Sequence, residues 1–237
     1  LLWLIWATER EKTIPMLVFA LLTLTVKEDA AVYVAVIGLY LLLSDRSKRT
    51  RTLGAVIFVT ACIYFFAVCA YLNYSGLGIM EWRYKDYMYR GGALITSLIV
   101  TAFTNPGYIL SNLFTGEKLT FTVQTLGVLG GIPLVSRKIA RYILLIPFVL
   151  VNLMPTYPYQ HSIYFQYVFG SCVLVIWLFI MNMSELSYNR ARCFTVFSLI
   201  ACAVMFTSTM TGYLNNFYDN DSHALKEYDK ASKYQDA

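Results

Sequence analysis

Eight apolar stretches run through this chain, at residues 1–7, 14–26, 30–43, 53–72, 119–135, 143–154, 164–181 and 193–213. Nearly every compact Lys/Arg cluster falls where simple alternation places it on the same side of those stretches. A water-facing surface cannot be assembled from segments so regularly apolar. Charged residues are 14% of the chain and apolar residues 58%, where a soluble domain carries roughly a quarter charged residues. The pattern predicts an all-α fold, a polytopic helical transmembrane bundle. Aromatics at 16%, including 19 Tyr, suit side chains that sit at membrane interfaces.

Orientation follows from the basic clusters. Arg10 with Lys12, the group Arg46, Lys48, Arg49 and Arg51, the group Arg137, Lys138 and Arg141, and Arg190 with Arg192 are expected on the cytoplasmic side of a cell membrane. The net charge of +5 is then an orientation signal, and no nucleic-acid partner is expected. This arrangement requires that residues 91–118 do not cross. Asn105-Pro106-Gly107 splits that stretch into pieces of about 14 and 9 residues, since Pro lacks a donor and disfavours helix before it. Two interfacial amphipathic helices on the outer face are predicted. The alternative, one kinked span, places Arg137 and Lys138 outside.

The runs 14–26 and 30–43 fall short of the roughly 20 residues of a perpendicular span. They read as short spans whose ends line a polar cavity. Residues 1–213 form the expected transmembrane domain. Residues 214–237 read as the start of an external C-terminal region, with a short helix over 224–233. The opening Leu-Leu-Trp-Leu-Ile-Trp, without Met, and the uncapped end lead us to expect a fragment of a larger protein.

Three segments carry candidate chemistry. Lys27-Glu28-Asp29 places three ionisable residues between two short apolar helices. Charge at membrane depth is expensive and usually faces a cavity with a partner. Glu28 and Asp29 are candidate catalytic acids or ligands for a divalent cation, and Lys27 a candidate phosphate contact. The bland alternative is a hinge whose carboxylates favour the next helix N-terminus. The second segment, residues 154–167, contains Tyr157, Tyr159, Gln160, His161, Tyr164 and Tyr167 on the same predicted face. Stacking faces and hydroxyls suit a sugar or a lipid-phosphate head group, while an aromatic belt at the lipid boundary is the plain alternative. The third, residues 81–90, offers Arg83, Lys85 and Arg90 to an anionic lipid or phosphate, or is a solvated loop anchored by Trp and Tyr. The five cysteines, Cys62, Cys69, Cys172, Cys193 and Cys202, have no metal-ligand spacing. Without a P-loop, GxSxG, HExxH or GxGxxG, a nucleotide-driven pump or a soluble-type hydrolase has no support.

An ordered set of residues resembles a bacterial and archaeal multispanning family, the domain of unknown function 2079. It comprises Lys27-Glu28-Asp29, Gly38-Leu39-Tyr40 with Leu41 to Leu43, Asn105-Pro106, Leu126-Gly127, Ile132-Pro133-Leu134, Pro147, Asn152-Leu153 and the segment ending at Tyr167. That family in turn resembles membrane glycosyltransferases of the C-type fold. The resemblance implies a polyprenyl-phosphate-linked sugar donor at the outer face, with membrane lipid as the surroundings. It also implies an acidic catalytic residue in a first external loop, ahead of Leu1. Family members often carry His-Tyr near the seventh helix, whereas here Ser162 and Ile163 separate His161 from Tyr164. The expected roles are Glu28 and Asp29 as supporting or metal-associated acids, and Lys27 and Arg90 as phosphate contacts. Tyr159, Gln160, His161 and Tyr164 are expected to line the cavity. A transporter or flippase for a lipid-linked or amphipathic substrate is the alternative, because broken helices and membrane-depth charges serve that purpose too.

Overall fold

The computed structural model describes residues 1–76, 81–88 and 94–235, with side chains described at all of these except 81, 94, 95, 213 and 215–235. Among the described residues the chain is helical, without strands. Nine α-helices form: α1 Leu2–Glu9, α2 Thr13–Leu24, α3 Ala30–Leu43, α4 Lys48–Tyr74, α5 Leu94–Thr104, α6 Pro106–Leu113, α7 Gly116–Thr122, α8 Phe169–Met183 and α9 Tyr188–Gln235.

α3 sits at the centre because it is apolar around its whole circumference. Val34, Val36, Ile37, Tyr40 and Leu41 are all buried, facing α2, α4, α8 and the 3-10 segment Ile139–Leu145. Its contact with α4 is backbone on backbone. A Cβ at Gly38 would lie 2.6 Å from the Phe58 nitrogen, and one at Gly54 would lie 2.7 Å from the Gly38 oxygen. Only glycine at both positions permits so close a crossing. α4 opens on Ser47, whose hydroxyl accepts from the Thr50 N–H at 3.3 Å and caps the helix.

Three helical segments are long and apolar enough to cross a membrane: Lys48–Tyr74, Gln166–Met183 and Tyr188–Gly212. The apolar windows of the first and third are only 17% and 6% buried. Ile63, Phe66, Leu199, Val204 and Phe206 project outward. Apolar helices left so bare of protein require hydrocarbon as their solvent.

The predicted helices over 119–135 and 143–154 differ in extent or winding from what forms. α7 passes into a π-turn at Val123–Gly127, and consecutive left-handed glycines follow, Gly130 at φ 62° and Gly131 at φ 67°. Pro133 then starts a 3-10 turn. The later stretch does form, as the apolar helix Ile139–Leu153, with 3-10 winding over Ile139–Leu145 and π winding over Phe148–Leu153. Gly130, Gly131 and Pro133 end the earlier ladder that apolar content alone suggested. The break at Asn105 forms as expected. The Asn105 side chain accepts from the Tyr108 N–H at 3.2 Å and separates α5 from α6. The short helix expected over 224–233 is instead the continuation of α9, which runs for 48 residues.

Candidate functional site

α3 and α8 run in the same direction. Ala30 and Tyr33 of α3 and Gly170 of α8 line a cavity at one end. Tyr40 and Leu43 of α3 and Met181 of α8 line a second cavity at the other. Both helix N-termini therefore point to the first cavity and both C-termini to the second. Each end carries a partial charge of about half a unit, positive at the N-termini and negative at the C-termini. The packed α3/α8 body spans about 21 Å, from 14 residues of α3.

The first cavity has a volume of about 340 Å³ and is lined by Lys27, Asp29, Tyr33, Gln166, Tyr167 and Gly170, with Val26 at an apolar edge. The charged hinge reaches it because α2 ends at Leu24 and α3 begins at Ala30, which leaves residues 25–29 as a tight turn. Asp29 is buried, and its Oδ2 lies 3.4 Å from Lys27 Nζ. The same ammonium lies 4.9 Å from the centre of the Tyr167 ring. Tyr33 packs over Gly170, where a Cβ would collide with the ring.

A second cation reaches the Tyr167 ring from far along the chain. Arg83, only 4% exposed, places its guanidinium 5.0 Å from the Tyr167 ring centre and 5.7 Å from that of Tyr157. Among the described residues its Nε and Nη1 have no hydrogen-bond partner. The segment Glu81–Tyr87 is fastened by its neighbours. The Arg83 carbonyl accepts from the Thr156 N–H at 2.9 Å, Tyr84 donates to the Leu150 carbonyl at 2.8 Å, and Tyr87 donates to the Met154 carbonyl at 3.2 Å. Burial raises the pKa of both phenols, that of Tyr87 to about 12, so they act as neutral donors. The sequence offered Arg83 to an anionic lipid or phosphate, or to a solvated loop, without pairing it with Tyr157 and Tyr167. The aromatic cluster of residues 157–167 was the available signal for a buried cation.

Other candidates lie elsewhere. Glu28 is half-buried and does not line the cavity. Arg90 lies outside the described residues. Tyr159 packs on Tyr157 and on Phe165, with centroids 4.9 and 4.2 Å away, in an outer aromatic layer. Tyr164 is exposed and turned toward Gly212 of α9. Gln160 is fully buried beneath the layer, and neither atom of its side-chain amide has a partner. Asn152 locks this turn to the cavity wall by donating to the Gln160 carbonyl at 2.6 Å and the Tyr167 carbonyl at 3.2 Å. His161 is buried with Nε2 3.4 Å from Glu117, and Nδ1 unpartnered. Burial lowers the pKa of His161, and the Glu117 hydrogen bond opposes that shift. Among the described residues no group of three His, Cys, Asp or Glu side chains is placed to hold a metal. Asp29 is the one carboxylate at the cavity, and Lys27 already neutralises it.

The opposite end is built from ion pairs. Arg46 contacts Glu9 at 3.0 Å, Glu11 at 3.5 Å and the Thr8 carbonyl at 3.1 Å. Arg141 contacts Glu185 at 2.9 Å, the Asn182 side-chain oxygen at 3.0 Å and the Met181 carbonyl at 3.3 Å. Trp177 Nε1 donates to Glu9 at 3.1 Å. Residues of the 46–51 and 137–141 clusters thus meet at one end of the bundle, away from the hinge.

Residues 1–232 match the family described as predicted membrane protein, DUF2079, and the chain belongs to that family. No curated protein and no solved structure matches it.

Proposed function

We propose that this member of a membrane protein family of unknown function transfers a sugar from a polyprenyl-phosphate donor bound at the Lys27–Tyr167 cavity. The observation that carries the proposal is the convergence of Lys27 and Arg83 on the Tyr167 ring, at 4.9 and 5.0 Å. Two cations and two helix N-termini favour a phosphate there. Val26, 77% exposed at the edge, gives a lipid tail a way to stay in hydrocarbon. In this reading the acceptor hydroxyl oxygen attacks the anomeric carbon. The bond from that carbon to the phosphate oxygen breaks, and its electron pair leaves with the phosphate, whose charge Lys27 and Arg83 offset. Asp29 is the carboxylate of this chain placed to accept the hydroxyl proton. Glu28, one residue away, supports the hinge without touching substrate. The outer aromatic layer of Tyr157, Tyr159 and Phe165 offers an acceptor sugar a stacking face. No step is routed through a divalent cation.

In the same reading the cavity end faces outward, the basic end faces the cytoplasm, and α9 carries its C-terminal part outside. The test is Asp29→Asn in an assay with a polyprenyl-phosphate-linked sugar. Loss of a general base costs roughly a hundredfold to ten-thousandfold in rate. Wild-type turnover by a folded D29N protein would remove Asp29 and, with it, this mechanism.

A flippase for the same lipid class is the second reading. It is favoured by the π-turns Val123–Gly127 and Phe148–Leu153 inside the apolar stretches 119–135 and 143–154. Leaflet exchange of a fluorescent polyprenyl phosphate without sugar transfer would decide for it.

A further inference from the structure

The second cavity, at the basic end, is the larger of the two, about 580 Å³. Glu9, Tyr40, Arg46, Arg137, Lys138 and Arg141 supply its polar lining. We propose that it is a binding site for the head group of an anionic membrane phospholipid. This does not depend on the sugar-transfer reading, since it concerns the other end of the molecule.

The charge arrangement points to a phosphate. The α3 and α8 C-termini and the carboxylates Glu9, Glu11 and Glu185 absorb Arg46 and Arg141. The remaining two cations are less committed. Lys138 reaches Glu185 only at 3.9 Å with a side chain 58% exposed, and Arg137 has no ion pair among the described residues. Asp45 is also at the wall, so the cavity's four basic residues outnumber its two carboxylates, Glu9 and Asp45, and a net anionic head group is favoured over a zwitterionic one. Arg141, 7% exposed and already held by Glu185 and Asn182, fixes the wall, which leaves the exposed Arg137 and Lys138 as the cations for a phosphate oxygen.

The rim points to a lipid in place of a soluble phosphate. Leu43 and Ile139 line the same cavity and are 55% and 86% exposed. A polar interior beside bare apolar side chains matches the boundary between head group and acyl chain. Basic pockets between transmembrane helices bind anionic lipid head groups by this means.

The test uses full-length protein in nanodiscs of mixed phosphatidylglycerol and phosphatidylcholine, with retained lipid read by native mass spectrometry. Wild type should retain phosphatidylglycerol in preference. The double variant Arg137→Gln/Lys138→Gln, at exposed positions, should lose that preference by about fivefold per cation removed. The double variant Lys48→Gln/Arg49→Gln removes the same charge from the same end, outside the cavity, and should retain it. Equal retention by wild type and the first variant overturns the site. Equal loss in both variants overturns it in favour of diffuse surface charge. Loss of retained lipid to millimolar glycerol 3-phosphate would make the ligand soluble and overturn the lipid assignment.

Discussion

The two ends of the α3/α8 pair use the same side-chain chemistry to opposite effect. At the C-terminal end, Arg46 and Arg141 are held by carboxylates at 2.9 to 3.5 Å and by backbone carbonyls. At the N-terminal end, Arg83 is as deeply buried as Arg141 but has aromatic rings for neighbours and two nitrogens without an acceptor among the described residues. A buried cation with its carboxylate is part of the scaffold. A buried cation facing π-faces, with donors to spare, is poised for an anion from outside. Burial alone does not separate the two cases; the satisfaction of the guanidinium does.

That contrast can be broken most directly by truncating each arginine. Arg141→Met leaves Glu185, about a quarter exposed, without its close partner, and takes the guanidinium donor from the buried Asn182 side-chain oxygen. It should lower stability by about 2–4 kcal/mol, read as thermal unfolding in detergent. Arg83→Gln strands no carboxylate among the described residues. It should leave the unfolding temperature nearly unchanged and weaken polyprenyl-phosphate binding roughly tenfold. If the unfolding losses come out the other way round, the assignment of scaffold and site to the two ends is reversed.

The smallest effect sharpens the picture at the cavity end. Burial, helped by nearby Lys118, lowers the pKa of His161 in the folded protein against the opposing pull of Glu117. A histidine shifted in this direction binds fewer protons folded than unfolded. Its contribution to stability is present above the unfolded value, ~6.5, and is lost as pH falls through the lower folded value. Unfolding temperatures measured from pH 7.5 to 5 should decline below that point, and His161→Gln should flatten part of the decline. An unchanged profile in H161Q would place the acid sensitivity in other groups.

Much of this architecture is legible in the amino-acid order, for reasons that are local. A charged triplet between two short apolar runs can only be a turn, and it became the floor of a cavity. Asn105 before Pro106 both caps and breaks. What local pattern could not supply is pairing across the chain. Arg83 meets Tyr157 and Tyr167 across more than seventy residues, and nothing in residues 81–90 distinguishes the arginine that folds inward from its neighbours. Gln160 and His161 look like site residues because polar side chains in an apolar context attract attention. Their hydrogen-bonding neighbours, Asn152 and Glu117, place them in the wall behind the aromatic layer. The helix over 119–135 stops after Gly127, a limit signalled by Gly130, Gly131 and Pro133, whereas the one over 143–154 forms within Ile139–Leu153 with 3-10 and π winding on either side of Pro147.

The glycine crossing of α3 and α4 has a mechanical consequence. With Gly38 and Gly54 backbones in contact, neither helix can slide past the other or roll by a turn without meeting main-chain atoms. The pair is a stiff lever, and the hinge at residues 25–29 hangs from its tip. If the cavity is to admit and release a bulky lipid, the wall that yields is the facing one. That wall carries Gln166 and Tyr167, and the Tyr167 ring is backed by Arg83 of Glu81–Tyr87, a segment held through the backbone carbonyls of Arg83, Leu150 and Met154. Motion is thereby channelled into the half of the site that carries Arg83, while the half that carries Lys27 and Asp29 keeps its register.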